Sequence, residues 1–192
     1  MRYPPDHKTK AKEAILQAGA RTLRTTGFNG VGVDGLAAAA GVTSGAFYSN
    51  FANKEELLKE VIEAFLGNPF IDAANGSLEE RQERLRTYLG MYISGAHRAD
   101  PANGCVMPTL SADVSRSSAS VRKAYQRRMT DLIRQMSLVM GGPPSHRESK
   151  AWTVLSIMIG AVLVARALPA GDNAEKVLKA ALDAAISIVD QQ

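Results

Sequence analysis

The chain has 192 residues, one cysteine and a formal charge of +4, with 45% hydrophobic and 22% charged residues. This balance is typical of a soluble globular protein with one or two domains, and it excludes a largely disordered chain. A single cysteine excludes an intrachain disulfide, and the N-terminal segment lacks the apolar centre of a signal peptide, so we expect a cytoplasmic location.

The first predicted helix, at about 8–26, lies in the part of the chain that carries the positive charge. Residues 1–54 hold seven lysines and arginines against three acids, whereas the remainder holds sixteen of each sign. A basic end on a neutral body favours a polyanion such as nucleic acid, although a solvated charged face has the same composition. Ile15 and Leu23 share one face of this helix, and Gly27 suits its C-terminal end.

Three short helical segments follow the first helix. The second is predicted at about 33–40, with Gly32 as its N-cap. The third begins near Thr43, a residue type that caps helices well. It must end within about two turns, because Asn53 followed three residues later by Glu56 is typical of the cap of a fourth helix.

The second and third helices are joined by the short glycine-containing turn AGVT at 40–43. That spacing is typical of a helix-turn-helix, whose second helix lies in the DNA major groove. Small residues at the start of the third helix permit close approach to bases and phosphates, whereas Phe47 and Phe51, at i and i+4, can anchor the helix to its own domain. The hydroxyl-bearing residues on the other side are Ser44, Tyr48 and Ser49.

The rest of the chain also has helical patterns, and no segment shows the alternation that indicates a strand. The fold class is therefore predicted to be all-α: a three-helix helix-turn-helix DNA-binding domain at 1–53, and a helical bundle for ligand binding and dimerisation at 54–192. Further helices are expected at 77–97, about 104–115, 118–140, 146–168 and 172–190.

The helix predicted at 146–168 is apolar on nearly every side between positions 151 and 165. This run is shorter than the ~20 residues that span a bilayer and contains Thr153 and Ser156, so a buried helix is favoured over a membrane helix. A helix that is apolar all round must be covered on every side. A dimer interface would supply that cover, since Gly160 lets a partner helix approach; an unusually large monomeric core is the alternative.

The block from Ile15 to Leu58 resembles the N-terminal DNA-binding domain of TetR-family transcriptional regulators. It carries, in the family's order and spacing, IL at 15–16, GF at 27–28, LA at 36–37, AGV at 40–42, FY at 47–48, Phe51 and KEELL at 54–58. The resemblance implies a repressor that binds a near-palindromic double-stranded DNA operator as a homodimer. It also implies a C-terminal domain that binds an unidentified small-molecule inducer and thereby releases the DNA.

The resemblance also implies roles for single residues, each of which has a purely structural alternative as a cap, a packed aromatic or a solvated charge. The implied phosphate contacts are Thr43, Tyr48 and Lys54, and the implied base-facing set is Ser44, Ala46, Ser49 and Asn50, with Gly45 allowing close approach. The chain departs from the family at Val31 and Gly32, where a threonine or serine is usual. It also lacks a basic residue at position 44, so non-specific affinity is expected to depend on Lys8, Lys10 and Lys12.

Aromatic and methionine side chains recur in the middle helices, where they could line a pocket or belong to an ordinary core. The ligand-binding candidates are Tyr88, Met91, Tyr92, Met107, Tyr125 and Trp152. Cys105 is predicted at a helix start, where the helix dipole favours a reactive thiolate, with Arg98 upstream. Its surroundings, GCVMPTLSAD, resemble a stretch of a TetR subgroup in which some members sense electrophiles or oxidants through cysteine. A buried structural thiol is the alternative.

No catalytic constellation is present in the sequence. It has no phosphate-binding glycine loop, and its histidines, His7, His97 and His146, are too far apart to suggest a metal cluster. We therefore expect neither an enzyme nor a metal or cofactor. The alternative function is a helical small-molecule-binding or adaptor protein without DNA binding, which would have no need for a basic N-terminal segment and the aromatic block that follows it.

Overall fold

The computed structural model describes residues 5–67 and 75–191, with side chains from residue 9 onward. These residues form helices and, within the described ranges, no strand, which confirms the all-α class. The helices are α1 (Pro5–Thr26), α2 (Val33–Ala39), α3 (Ser44–Tyr48), α4 (Lys54–Phe65), α5 (Leu78–Tyr92), α6 (Gly95–Ala99), α7 (Met107–Ser115), α8 (Ala119–Ser137), α9 (Pro144–Ala167) and α10 (Asp172–Asp190).

The described residues divide into two compact units. The first contains the helices α1 to α4 together with the segment Pro101–Arg128, which includes α7 and the first half of α8. The second contains α5, α6, the rest of α8, α9 and α10. This division groups residues by compactness, so the functional division into 1–53 and 54–192 stays a prediction.

The core of the first unit is built from helix faces whose apolar residues recur every three or four positions. Gly19 of α1 lets α4 approach closely, because a Cβ at this position would lie 2.9 Å from a methyl carbon of Leu57. Leu57 itself is fully buried. The other fully buried aliphatic residues of α1, α2 and α4 are Ile15, Leu23, Leu36, Leu58, Val61 and Ile62.

The helix boundaries near the turn follow the predicted local signals. Gly27 and Gly41 end α1 and α2 with φ of 71° and 67°, a left-handed conformation that glycine adopts without a Cβ clash. Thr43 caps α3 by accepting the Ala46 N–H at 3.1 Å. Asn53 caps α4 by accepting the Glu56 N–H at 2.9 Å, so both predicted caps are confirmed.

Two predicted helix boundaries were wrong. The segment 77–97 is two helices rather than one, because Ser94 caps α6 by accepting the His97 N–H at 3.1 Å after α5 has ended. The helix predicted to begin near 104 begins at Met107, since Pro108 lacks an N–H and fits the first turn of a helix. Cys105 therefore precedes α7 instead of lying in its first turn.

The second unit is organised around α9, which packs chiefly against α10. By length and composition alone, α9 is apolar enough to cross a membrane, and 39% of its most apolar stretch is buried. Its buried residues are Ala151, Val154, Leu155, Met158, Ala161, Val162 and Ala165. Its outer face exposes Trp152, Leu163 and Val164 at 39%, 50% and 48%.

Candidate nucleic-acid interface

The orientation of α3 is set by its aromatic residues. Phe47 and Phe51 are 0% and 1% exposed, and their ring centroids lie 5.6 Å apart in the core of the first unit. Tyr48, the residue next to Phe47, is 57% exposed. The prediction that two phenylalanines anchor α3 is confirmed, and the face that carries Tyr48 is turned to solvent.

The start of α3 presents small groups. Thr43 and Gly45 are exposed and Ala46 is half-buried. A Cβ built on Gly45 would meet only the Thr43 hydroxyl oxygen, at 3.8 Å, so a glycine here leaves open space above the backbone. This part of the surface can therefore approach another molecule closely without moving a large side chain.

The polar side chains predicted to face bases are bonded within the protein. The Ser44 hydroxyl donates to the Asp34 carboxylate at 2.5 Å, and the Ser49 hydroxyl donates to the Gly45 carbonyl at 2.9 Å. The Asn50 side-chain amide donates to the Ala46 carbonyl at 2.8 Å, which leaves its own Oδ1 buried and without a hydrogen-bond partner. A bidentate contact from Asn50 to adenine would require this amide to leave Ala46.

Lys54 is also engaged by the protein. Its ammonium donates to the carbonyls of Phe28 and Val31 at 2.7 and 3.0 Å, and it lies 4.2 Å from the centroid of the Phe28 ring. An ammonium has three donors, so one remains for another acceptor. The phosphate contact predicted for Lys54 stays a prediction, and the structure shows in addition that this side chain holds the loop before α2.

Basic residues of α1 supply positive charge in the same unit. Lys10 is exposed, whereas Lys12 pairs with Glu60 at 2.8 Å and lies 5.5 Å from the Phe51 ring centroid. The side chain of Lys8 lies outside the described residues. Gly32 caps α2 in an extended conformation and has no side chain to offer a hydroxyl to phosphate.

Asp113 of α7 also contacts the loop before α2, and sequence reasoning missed it. Its carboxylate Oδ2 accepts the backbone N–H of Phe28 at 2.9 Å, across 85 positions in sequence. The only sequence signal was its place in the LSAD run, which does not identify a bonding partner.

Cys105 lies in the first unit and is half-buried. The Met107 backbone N–H points to its sulfur at 3.4 Å. Burial lowers the pKa of the Arg24 guanidinium, and the negative charge of a Cys105 thiolate nearby opposes this shift. Burial also raises the pKa of the Tyr125 phenol, the Ser111 hydrogen bond opposes that change, and a Cys105 thiolate reinforces it.

Arg24 is a cation close enough to Cys105 for the two charges to interact. The Arg98 guanidinium donates to the carbonyls of Ala165 and Leu168 at the end of α9, at 2.6 and 2.8 Å. The assistance that Arg98 was expected to give Cys105 stays a prediction.

The ligand-binding candidates divide between the units. Met107 and Tyr125 belong to the first, where Met107 is buried and the Tyr125 hydroxyl bonds the Ser111 hydroxyl at 2.7 Å. The other four, Tyr88, Met91, Tyr92 and Trp152, belong to the second. The Tyr88 and Tyr92 rings contact each other at an angle of 46°, with centroids 5.8 Å apart, and Met91 is 61% exposed. Their role in ligand binding stays a prediction.

Comparison with known proteins adds a match to a known family of DNA-binding domains. Residues 15–61 match the family model of bacterial regulatory proteins, tetR family. The chain is 30% identical over 139 residues to the transcriptional regulator AcuR of Cereibacter sphaeroides, covering 65% of this chain and 62% of that protein. It is 24% identical over 115 residues to the transcriptional repressor DhaR of a Mycobacterium species, covering 60% of this chain and 58% of DhaR. The matches thus span about three fifths of these relatives.

Solved structures share the fold over nearly the whole chain. The reduced form of E. coli NemR superposes with a TM-score of 0.75 at 22% identity, covering 95% of this chain and 98% of that one. A TetR-family regulator from Cytophaga hutchinsonii gives a TM-score of 0.75 at 17% identity, with full coverage of both chains. AcuR and DhaR are named as transcriptional regulators, and the prediction that the chain is not an enzyme is confirmed. The helix-turn-helix segment at 15–61 thus matches that of the tetR family of bacterial regulatory proteins, and the chain shares the fold of a solved TetR-family regulator over its whole length.

Proposed function

We propose that the chain is a repressor that binds a near-palindromic operator as a homodimer and leaves it in response to a small molecule or an electrophile. The observation that carries the proposal is the arrangement of α3, with Phe47 and Phe51 buried and Tyr48 at 57% exposure. Such a helix is held rigidly from one side and is open on the other, which is what insertion into a major groove requires.

Phosphate and base contacts divide along the exposed side of α3. Thr43, Tyr48 and Lys54 are assigned to phosphates, which fix the register of the protein on the duplex. The base-facing set is Ser44, Ala46, Ser49 and Asn50. Ala46 can touch only a thymine methyl, whereas the Asn50 amide can bind adenine through two hydrogen bonds, a pair that contributes about 1–3 kcal/mol of discrimination. Binding must first exchange the Asn50–Ala46 hydrogen bond for this base contact.

Replacing Tyr48 by alanine is expected to weaken operator binding strongly while the free energy of unfolding changes by less than about 0.5 kcal/mol, as is usual for exposed sites. Tyr48→Phe isolates the hydroxyl contribution to the same contact. Fluorescence anisotropy with a labelled operator duplex measures the affinity, and urea unfolding measures the stability. Leu138→Ala is the matched control, because Leu138 is 51% exposed and lies just after α8, away from α3 in sequence. Unchanged affinity in Tyr48→Ala would remove Tyr48 from the DNA contacts.

The homodimer is supported by the outer face of α9. Leu163 and Val164 are about half exposed there, and a Cβ built on Gly160 meets nothing within 4 Å. A second copy of this helix could approach at Gly160 and cover both side chains. Proteins of this family typically form dimers, and a two-fold axis would place one α3 on each half of a palindrome.

Repression and the releasing signal are proposed from the relatives and from Cys105. DhaR is named a transcriptional repressor, and the E. coli NemR structure is described as a reduced form. In this chain Cys105 is half-buried, with the Arg24 cation nearby. A cation favours the thiolate, which is the reactive form toward electrophiles and oxidants. A DNA-binding regulator of this kind would work in the cytoplasm.

Treatment with N-ethylmaleimide or hypochlorite is expected to lower operator affinity in the unmodified chain and to leave it unchanged in Cys105→Ser. The reason is that the added group would have to fit beside Arg24 and Tyr125 in a half-buried position. Anisotropy before and after treatment gives the affinity, and intact-protein mass gives the extent of modification. Equal affinities in a fully modified chain would leave Cys105 as a structural thiol and small-molecule binding as the signal.

Selection from random duplex DNA with the whole chain tests the proposed function directly. The expected result is enrichment of sequences with two-fold symmetry, followed by a footprint on DNA next to the gene of this chain. If no sequence is recovered above background and the chain elutes from heparin at low salt, the alternative function, a helical ligand-binding or adaptor protein, is favoured.

A further inference from the structure

The loop at residues 27–32, between α1 and α2, is held by side chains from two other helices. Lys54, at the start of α4, bonds the carbonyls of Phe28 and Val31. Asp113 of α7 accepts the N–H of Phe28 at 2.9 Å. The backbone of Phe28 is thus bonded on both its amide and its carbonyl.

The Asp113 carboxylate is mostly shielded from solvent at this contact. Its side chain is 11% exposed, and its second oxygen pairs with Arg116 at 3.2 Å. A carboxylate that accepts a backbone N–H forms a charge-assisted bond, stronger than one between neutral groups. The approach is close, since a Cβ on Gly27 would lie 3.3 Å from the Asp113 Oδ2.

A second bond joins α7 to the same region. The Thr109 hydroxyl, one turn before Asp113, donates to the carbonyl of Arg24 in the last turn of α1 at 2.9 Å. The α7 helix therefore contacts both the end of α1 and the Phe28 amide of the loop. That loop leads directly to Gly32, the cap of α2, and α2 packs against α3.

We propose that Asp113 is a positioning residue for DNA binding, which holds the loop through Phe28 and thereby sets the placement of α2 and α3. The inference rests on the proposed function, since it concerns the operator affinity of α3. Asp113 touches no DNA in this account. A shift of α7 relative to α1 would break the bond to Phe28 and change the placement of the reading helix.

Asp113→Ala tests the inference with two independent measurements. Labelling with ¹⁵N-phenylalanine limits the amide spectrum to five signals, because the chain has five phenylalanines. The exchange rate of the Phe28 amide with D₂O is expected to rise when its acceptor is removed, while the amides of Phe47 and Phe51, which bond the carbonyls of Thr43 and Phe47, stay protected. Operator affinity, measured by anisotropy at a temperature where both proteins are folded, is expected to fall about tenfold, the size of one lost charge-assisted bond.

Three further variants separate positioning from charge and from general stability. Asp131→Ala makes the same charge change at a residue that pairs only with exposed Arg134, at 3.4 Å, and is expected to keep wild-type affinity. Asp113→Asn keeps an acceptor oxygen and should recover part of the loss. The double variant Lys54→Met/Asp113→Ala should lose less operator affinity than the sum of the losses in the two single variants, because both residues hold the same loop.

Faster exchange of Phe28 together with weaker operator binding supports the inference. Faster exchange with wild-type affinity overturns it, and so does unchanged exchange, because Phe28 would then be held by something else. Equal losses in Asp113→Ala and Asp131→Ala would assign the effect to charge and also overturn it. If the wild-type chain selects no DNA sequence, the proposed function itself is refuted. That experiment uses no variant, so its failure can be told apart from a failure of the inference about Asp113.

Discussion

Replacing Phe47 by alanine is expected to lower the free energy of unfolding by about 3–5 kcal/mol, the range for truncating a fully buried phenylalanine. Phe47 is 0% exposed and stacks with Phe51 at 5.6 Å, so the change leaves a cavity and removes a ring contact in one step. Because α3 has only five residues, it has little stability without this anchor. Operator binding should therefore be lost at temperatures where the wild-type chain still binds. Urea unfolding, followed by circular dichroism, measures the change.

Tyr48→Ala is the matched comparison, since it removes a neighbouring aromatic ring from the same helix. Tyr48 is 57% exposed and touches Phe47 edge-on, with ring centroids 5.6 Å apart. We expect it to lose DNA affinity with little loss of stability, whereas Phe47→Ala loses both. Equal destabilisation by the two substitutions would contradict the assignment of one ring to the core and the other to the DNA-facing surface.

Leu163→Glu is expected to convert the proposed dimer to monomers and to weaken operator binding by roughly 100-fold or more. A carboxylate at the centre of an apolar contact must be desolvated without a partner, which disfavours association. A monomer also loses the gain of about 10²–10⁴ that comes from linking two binding modules. Sedimentation velocity measures the assembly state, and anisotropy with whole and half operators measures the loss.

Leu138→Glu is the control for this prediction, because Leu138 has the same side chain and is 51% exposed, against 50% for Leu163. It should leave both assembly and affinity unchanged. A wild-type chain that sediments as a monomer at micromolar concentration would contradict the proposed dimer. A Leu163→Glu chain that remains dimeric would move the interface away from this face of α9.

The helix-turn-helix could be predicted from sequence because its signals are local. Thr43 and Asn53 cap helices with their own neighbours, and Gly27 and Gly41 end helices by adopting positive φ. The burial of Phe47 and Phe51 follows from their spacing of four residues, which places both rings on the same side of α3 and the turn after it. Most other helix boundaries lie within three residues of the prediction for the same reason.

The two wrong boundaries arose where a local signal was present and was not used. Ser94 caps α6 and divides the predicted helix at 77–97, and Pro108 favours a start at Met107. The placement of Cys105 just before α7 follows from the second of these. The proximity of Arg24 to Cys105 has another cause, since the two residues are distant in sequence and only folding brings them together.

The sequence by itself determined the helical class, the turn at 40–43 and the identity of the anchoring phenylalanines, because caps, glycines and helical spacing act over a few residues. Only the tertiary structure decided which polar groups hold one another. Ser44 bonds Asp34 ten positions away, Lys54 bonds carbonyls 23 and 26 positions away, and Asp113 bonds Phe28 across 85. Such pairs depend on how helices pack in three dimensions, and no periodicity along the chain encodes them.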